Sequence, residues 1–140
     1  MMRFVVLMVC ACLGTATVMS QTIESVLTSD ELSSELFGVY LEGVVGISDE
    51  PWSECIEPDG DTIFEHQSET LTGKLNITED GQACFDYSGV GFGARNCFNV
   101  FRNRSGGYVF LGADSVSGQF RTSLVIPVVT SCPYSPSPVG

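Results

Sequence analysis

A succession of short strand-like runs separated by turn residues constrains the fold of this chain more than any other feature. The clearest run is 71–77, where apolar and polar residues alternate as in a half-buried strand. Asp-Gly pairs at Asp59-Gly60 and Asp80-Gly81 are typical of tight turns. Because parallel strands need long crossovers, the sequence predicts a mainly β fold with a small antiparallel sheet. The predicted strands are 39–45, 52–56, 62–66, 71–77, 82–87, 95–101, 108–111 and 119–125.

Seven to eight such strands predict a barrel-like sheet or, alternatively, a two-layer sandwich. A barrel of eight strands has an interior that side chains fill or that holds one small ligand. The aromatic residues fall largely on the predicted strands, where such residues usually form the core. The alternative is that they line a ligand cavity.

One short N-terminal helix is predicted ahead of the strands. Thr28 and Glu31 have the spacing of a capping box, in which each residue's side chain bonds the other's backbone. Leu32, Leu36 and Phe37 follow on one helical face, and the glycine after them is a natural stop.

Residues 1–20 have the pattern of an export signal, with Arg3 near the start, an apolar run and small residues before Gln21. The apolar run is too short for a transmembrane segment. We therefore expect a signal peptide at 1–20, a single disulfide-stabilised β domain at 21–132 and a mobile Pro/Ser tail at 133–140. A periplasmic or secreted location follows, with lipid anchoring through Cys12 as a minor alternative.

Four cysteines remain after the signal: Cys55, Cys84, Cys97 and Cys132. An even number in a small exported domain predicts two disulfides, and four cysteines allow three pairings. The strand pattern favours Cys84 with Cys97, because they lie in consecutive strands joined by a glycine-rich turn. Cys55 would then pair with Cys132.

The chain is strongly acidic, and loss of Arg3 with the signal takes its formal charge from −11 to −12. Nucleic acid is therefore not an expected partner, because phosphate binding needs basic residues. An acidic surface that keeps the protein soluble is one interpretation, and a face that steers a basic protein partner is another.

No motif predicts catalytic, metal-binding or cofactor-binding residues. His66 is the only histidine, and no Gly-x-Ser-x-Gly nucleophile motif accompanies it, so we expect it near a strand end and partly exposed. Asp59 and Asp61 lack the spacing of a calcium loop, and a tight turn explains the Asp-Gly pair. A dense acidic run is interpreted as a weak cation-binding surface at most; it comprises Asp49, Glu50, Glu54, Glu57 and Asp59.

Over about residues 28–112 the chain resembles a group of short exported proteins of alphaproteobacteria. The resemblance implies a small periplasmic β domain and no established activity. It depends on turns, cysteines and aromatic residues, namely Trp52-Ser-Glu-Cys55, Pro58-Asp-Gly60, Gly73-Lys74, Asp80-Gly81, Cys84-Phe-Asp-Tyr87, Cys97-Phe-Asn-Val-Phe-Arg102 and Gly107-Tyr108.

These observations favour an exported, non-enzymatic binding or envelope-associated β domain. One alternative is an inhibitor-like module whose acidic face blocks a basic enzyme. Another is a barrel carrier of a small apolar ligand. An enzyme would need a pocket that gathers His66 or several carboxylates.

Overall fold

The computed structural model describes residues 25–87, 95–114 and 118–132, and its eight strands form one closed antiparallel barrel. Each strand pairs with its neighbours in sequence, and the last pairs with the first. The barrel prediction is therefore confirmed and the sandwich alternative is wrong. The elements are α1 (Ser29–Glu35), β1 (Val39–Val45), β2 (Glu50–Ile56), β3 (Asp61–His66), β4 (Glu69–Ile77), β5 (Ala83–Tyr87), β6 (Asn96–Arg102), β7 (Tyr108–Gly112) and β8 (Gln119–Pro127).

The predicted signal peptide at 1–20, the predicted tail at 133–140 and the glycine-rich turn after β5 lie outside the described residues. Among the residues that the structure does describe, no helix has the length and hydropathy needed to cross a membrane.

The predicted capping box forms at the start of α1. The Glu31 backbone N–H donates to Thr28 Oγ1 at 3.3 Å, and the Thr28 backbone N–H donates to Glu31 Oε2 at 2.8 Å. These bonds satisfy backbone donors that a helix start leaves free. The contact lowers the pKa of the Glu31 carboxyl, mainly because the ionised form accepts the Thr28 backbone bond.

Closure of the barrel depends on two glycines inside strands. A Cβ at Gly43 would lie 1.8 Å from the Arg121 carbonyl oxygen, and one at Gly73 would lie 2.3 Å from the Asp86 carbonyl oxygen. Between Glu42 and Gly43 the register of β1 with β8 also shifts, as at a β-bulge. Glycines and bulges of this kind let strands bend sharply enough to close a sheet.

The helix covers one end of the barrel, which we call the helix end. Ser29 Oγ donates to the carbonyl oxygens of Thr78 and Glu79, both at 3.0 Å, in the turn between β4 and β5. Just before the helix, the Leu27 backbone N–H donates to the Val100 carbonyl oxygen of β6 at 2.8 Å. The helix is thereby fixed to two separate parts of the barrel wall.

A polar contact also joins the helix to the barrel. Glu35 forms an ion pair with Arg102 of β6 and accepts a 3.0 Å hydrogen bond from the Tyr108 hydroxyl of β7. Partial burial, followed by the contact with Glu35, raises the pKa of Tyr108 to about 12. Tyr108 therefore remains a neutral donor across the physiological pH range.

The part of the barrel next to the helix, which we call the helix half, has a filled aliphatic core. Its side chains come from α1, from the residues just before and after it, and from the strands beneath it. All are at most 2% exposed: Leu27, Leu32, Leu36, Ile56, Leu75, Ala83 and Val100.

Both favoured disulfides form. Cys84 and Cys97 lie directly opposite each other on β5 and β6, and Cys55 of β2 is bonded to Cys132 beyond β8. Each bridge is expected to stabilise the fold by about 2 to 4 kcal/mol, with the larger contribution from the longer loop that Cys55 and Cys132 close. The predicted pairing is confirmed.

Candidate functional site

The half of the barrel away from the helix contains an interior cavity of about 300 Å³. We call this region the cavity half. Val45, His66 and Tyr87 end their strands here, and Asn96 begins the next one, so the cavity lies opposite the helix end. Its lining is predominantly aromatic and aliphatic: Leu41, Val45, Trp52, Glu54, Phe64, His66, Leu71, Phe85, Tyr87, Asn96, Phe98, Phe110, Gly118 and Phe120.

The aromatic rings form a connected wall. The centroid of the Trp52 ring lies 5.6 Å from that of Phe120 and 6.3 Å from that of Phe110, both in edge-to-face arrangements. Phe98 contacts the same two rings in the same manner, at 5.7 and 6.1 Å. Rings in these arrangements stabilise one another, so each is held in place beside the cavity.

Strand alternation places a carboxyl group in this apolar wall. In β2 the residues Trp52, Glu54 and Ile56 point to the interior, and Glu54 is only 3% exposed. Its Oε2 accepts a 2.8 Å hydrogen bond from the Tyr87 hydroxyl, and its Oε1 contacts Thr62 Oγ1. A buried acid thus connects three strands of the cavity half.

Burial raises the pKa of Glu54 to about 8, although its bonds with Thr62 and Tyr87 partly oppose that rise. The carboxyl group is therefore mostly protonated at pH 7. Burial also raises the pKa of the Tyr87 phenol, and the neighbouring Glu54 raises it further. Both groups are neutral while the cavity contains no other charge.

The protonated, neutral form of Glu54 agrees with the number of hydroxyl protons around its carboxyl group. Thr62 has one hydroxyl proton and two acceptors within reach, the Glu54 carboxyl and the Cys55 carbonyl oxygen at 3.0 Å. When Glu54 is protonated, its hydroxyl can donate to Thr62 Oγ1, and the Thr62 proton then stays available for the Cys55 carbonyl oxygen. An ionised Glu54 would compete with that carbonyl for the single proton.

Two further polar groups of the lining have hydrogen-bonding capacity to spare. Trp52 is 6% exposed, and its indole N–H has no hydrogen-bond partner among the described residues. His66 Nε2 lies 3.3 Å from a Glu50 carboxylate oxygen, without the alignment of a hydrogen bond. Buried polar groups normally have partners, so the free Trp52 donor suggests where a ligand acceptor would bind.

The sequence predicted the position of His66 correctly and that of Glu54 wrongly. His66 ends β3 partly exposed, as predicted, and it also lines the cavity. The interpretation of Glu54 as one acid of a solvated run is wrong, because its side chain points into the barrel. The period of two along β2, with Trp52 and Ile56 on the same face, is the signal that would have identified it.

Glu57 and Asp59 of that run lie near the surface beside Asp61, and local contacts hold these three carboxyl groups in place. The carboxyl oxygens of Glu57, Asp59 and Asp61 lie within 4.8 Å of one another. Glu57 accepts from the Cys132 backbone N–H, Asp59 accepts from the Asp61 backbone N–H, and Asp61 pairs with Lys74. These contacts order the turn between β2 and β3.

The described lining of the cavity has few reactive side chains. It contains no serine, threonine, cysteine or lysine, so the side chains there that could act as nucleophiles are Glu54, His66 and Tyr87. Glu54, His66 and Tyr87 are its titratable groups. The arrangement is suited to enclosing an apolar molecule and to forming a few polar contacts with it.

No family model, curated protein or solved structure matches this chain. The resemblance to exported alphaproteobacterial proteins therefore stays a prediction.

Proposed function

We propose that this chain is an exported, non-enzymatic binding protein that holds a small, largely apolar ligand inside its barrel. The observation that carries the proposal is the cavity of about 300 Å³, whose described lining has seven Phe, Tyr and Trp rings and a few convergent polar groups. Small-molecule sites are commonly concave, apolar and equipped with a few such groups.

The cavity volume supports a ligand of limited size. Apolar cavities of about 150 Å³ accommodate benzene, so twice that volume suits one ring system with a short substituent. The described lining contains no serine, threonine, cysteine or lysine and its carboxyl group is mostly protonated at pH 7, which supports binding rather than nucleophilic catalysis.

The two disulfides support the exported location. Such bonds persist mainly in oxidising compartments, which include the periplasm and the extracellular space. The inhibitor-like module with an acidic face remains an alternative proposal; binding to a basic enzyme that weakens steeply with added salt would support it.

The test uses the single tryptophan of the chain, which lines the cavity. The probe is 6-propionyl-2-(dimethylamino)naphthalene, a largely apolar dye with one ring system and short substituents that is uncharged at neutral pH. We expect saturable enhancement of dye fluorescence with micromolar affinity and energy transfer from Trp52 to the dye. An absence of both effects would overturn the proposal.

A matched pair of variants locates the dye. Val45→Phe enlarges a side chain of the lining, whereas Val129→Phe makes the same change at an exposed position. We expect Val45→Phe to weaken dye binding about tenfold, since filling the cavity removes the space that the dye needs. Val129→Phe should bind as the parent does. Equal affinities for the two variants would place the dye outside the barrel.

A further inference from the structure

We infer that the ligand is a small organic cation, an amine whose ammonium group pairs with Glu54 while its apolar body lies among the aromatic rings. The inference rests on the ligand-binding function proposed above and names the chemistry of the ligand. It depends on three properties of the cavity: its unpaired acid, its ring wall and its spare hydrogen-bond donor.

Among the residues that the structure describes, Glu54 has no cationic partner. Among the described lining residues it is the only acid, and none is lysine or arginine. The groups that contact it are Thr62 on β3 and Tyr87 on β5, both neutral donors. His66, the other titratable side chain of the lining, has the Glu50 carboxylate beside it at 3.3 Å. A bound ammonium group would supply the positive charge that an ionised Glu54 needs beside it.

The basic residues with described ion pairs lie elsewhere. Lys74 pairs with Asp61, Arg102 with Glu35 and Arg121 with Asp49. None of these three lines the cavity. A buried carboxylate is costly unless an opposite charge accompanies it, so the site favours a ligand that brings one.

The ring wall favours the same class of ligand. The faces of aromatic rings carry partial negative charge and attract cations, most strongly when water is excluded, and tryptophan is the best such ring. The net charge of −11 also raises the local concentration of small cations and repels anions. An anionic ligand would face both this field and the carboxyl group of Glu54.

The spare donor adds a second point of attachment. The Trp52 indole N–H can donate to an oxygen or nitrogen acceptor on the body of the ligand. An arylalkylamine that carries an acceptor group combines all three features. Its ring system would occupy the apolar volume, its ammonium group would contact Glu54, and its acceptor would bind Trp52.

Binding of such a cation moves one proton. In the empty cavity Glu54 is protonated near pH 7, and the ammonium group enters with its own proton. Glu54 then loses its proton to the solvent and becomes the carboxylate of the ion pair, so each ligand bound releases close to one proton. Amine affinity should therefore rise about tenfold per pH unit between pH 6 and 7.5.

The experiment compares three probes of similar size by titration calorimetry: 2-phenylethylamine, 2-phenylethanol and 3-phenylpropanoate. At pH 8 we expect the amine to bind at least tenfold more tightly than the alcohol, and the anion to bind most weakly. Titrations of the amine at pH 7 in two buffers of different ionisation enthalpy should give a release close to one proton. Binding of the alcohol should release none.

Glu54→Gln keeps the shape of the side chain and removes its charge, and Glu79→Gln is the matched control at an exposed turn position. We expect Glu54→Gln to weaken amine binding at least tenfold and to abolish proton release, with alcohol binding changed less than threefold. Glu79→Gln should behave as the parent does. The proton count on the parent protein stands as evidence even if Glu54→Gln folds poorly.

The outcomes distinguish a failure of the cation assignment from a failure of the proposed ligand-binding function. Dye binding without an amine preference, including dye binding when none of the three probes binds, overturns the cation assignment and leaves the proposed function standing. An amine preference without proton release also overturns the pairing with Glu54. If neither the dye nor any probe binds, both proposals fail.

Discussion

The two halves of this barrel are made from the same eight strands and differ in what occupies the interior. In the helix half, seven aliphatic side chains at most 2% exposed fill the space, and three of them come from the helix and the residues that flank it. In the cavity half, aromatic rings surround a space of about 300 Å³. Among the described residues, no segment outside the strands contributes a comparable plug there.

The polar groups follow the same division. Near the helix, Glu35 is paired with Arg102 and bonded by Tyr108, so its charge is compensated within the protein. In the cavity half, the buried Glu54 has no cationic partner and the Trp52 N–H no hydrogen-bond partner among the described residues. The helix half is thus filled and its buried charge is compensated, whereas the cavity half combines a space with a buried acid and an unpartnered indole N–H.

The largest expected effect tests whether stability is concentrated in the helix half. Leu32→Ala removes a fully buried side chain and should reduce the free energy of unfolding by about 3 kcal/mol. Leu71→Ala, in the half-buried lining of the cavity, should cost about 1 kcal/mol because its side chain already borders empty space. Urea unfolding at pH 7 measures both values.

Leu124→Ala is the control, since Leu124 is exposed on the outer face of β8 and should change stability little. A cost for Leu71→Ala equal to that of Leu32→Ala would contradict the comparison. It would mean that the cavity wall is packed as tightly as the core beneath the helix.

The next largest expected effect is a pH dependence of the free energy of unfolding. It tests whether Glu54 is buried without a compensating charge. The pKa of Glu54 rises from 4.5 in the unfolded chain to about 8 in the folded protein, so the native state keeps its proton over a range where the unfolded state loses it. No penalty exists below pH 4.5; the penalty grows as pH rises and is complete above pH 8. From pH 5 to pH 7 the penalty grows by about 2 to 3 kcal/mol.

Glu54→Gln cannot ionise and should lack this penalty. The difference in unfolding free energy between the variant and the parent should therefore grow in favour of the variant as pH rises from 5 to 7. Glu79→Gln, measured over the same range, separates the effect of Glu54 from the general loss of one negative charge. A parent-to-variant difference that stays constant with pH would show that Glu54 ionises normally.

Most of the barrel was predictable because local patterns determine it. Strand-like runs separated by turn residues identified all eight strands with bounds within a few residues, and the Thr28 to Glu31 spacing identified the helix start. The disulfide between Cys84 and Cys97 followed from their positions on adjacent strands of a hairpin. Each inference used residues close together in the sequence.

The cavity was much less predictable, because it depends on where distant strands place their side chains. Glu54 meets Tyr87 across the barrel interior from a position 33 residues away in the chain. Its neighbours in the sequence include several exposed acids, and composition alone grouped it with them. Whether aromatic residues fill an interior or leave a cavity depends on packing volumes that no periodicity reports.

The smallest effect concerns the attachment of the helix that distinguishes the two halves. Thr28→Ala removes the side-chain acceptor for the Glu31 backbone N–H and should cost about 1 kcal/mol in urea unfolding. Ser34→Ala makes a similar change inside the same helix, where alanine is a better helix former, and should cost nothing or stabilise slightly.

Ligand binding should be unchanged in both variants, because the cap lies at the opposite end of the barrel. A Thr28→Ala cost as large as that of Leu32→Ala would mean that the cap, rather than the leucine packing, holds the helix in place. Weakened dye binding in a folded Thr28→Ala protein would instead show that the two halves are coupled, since the change touches none of the lining residues.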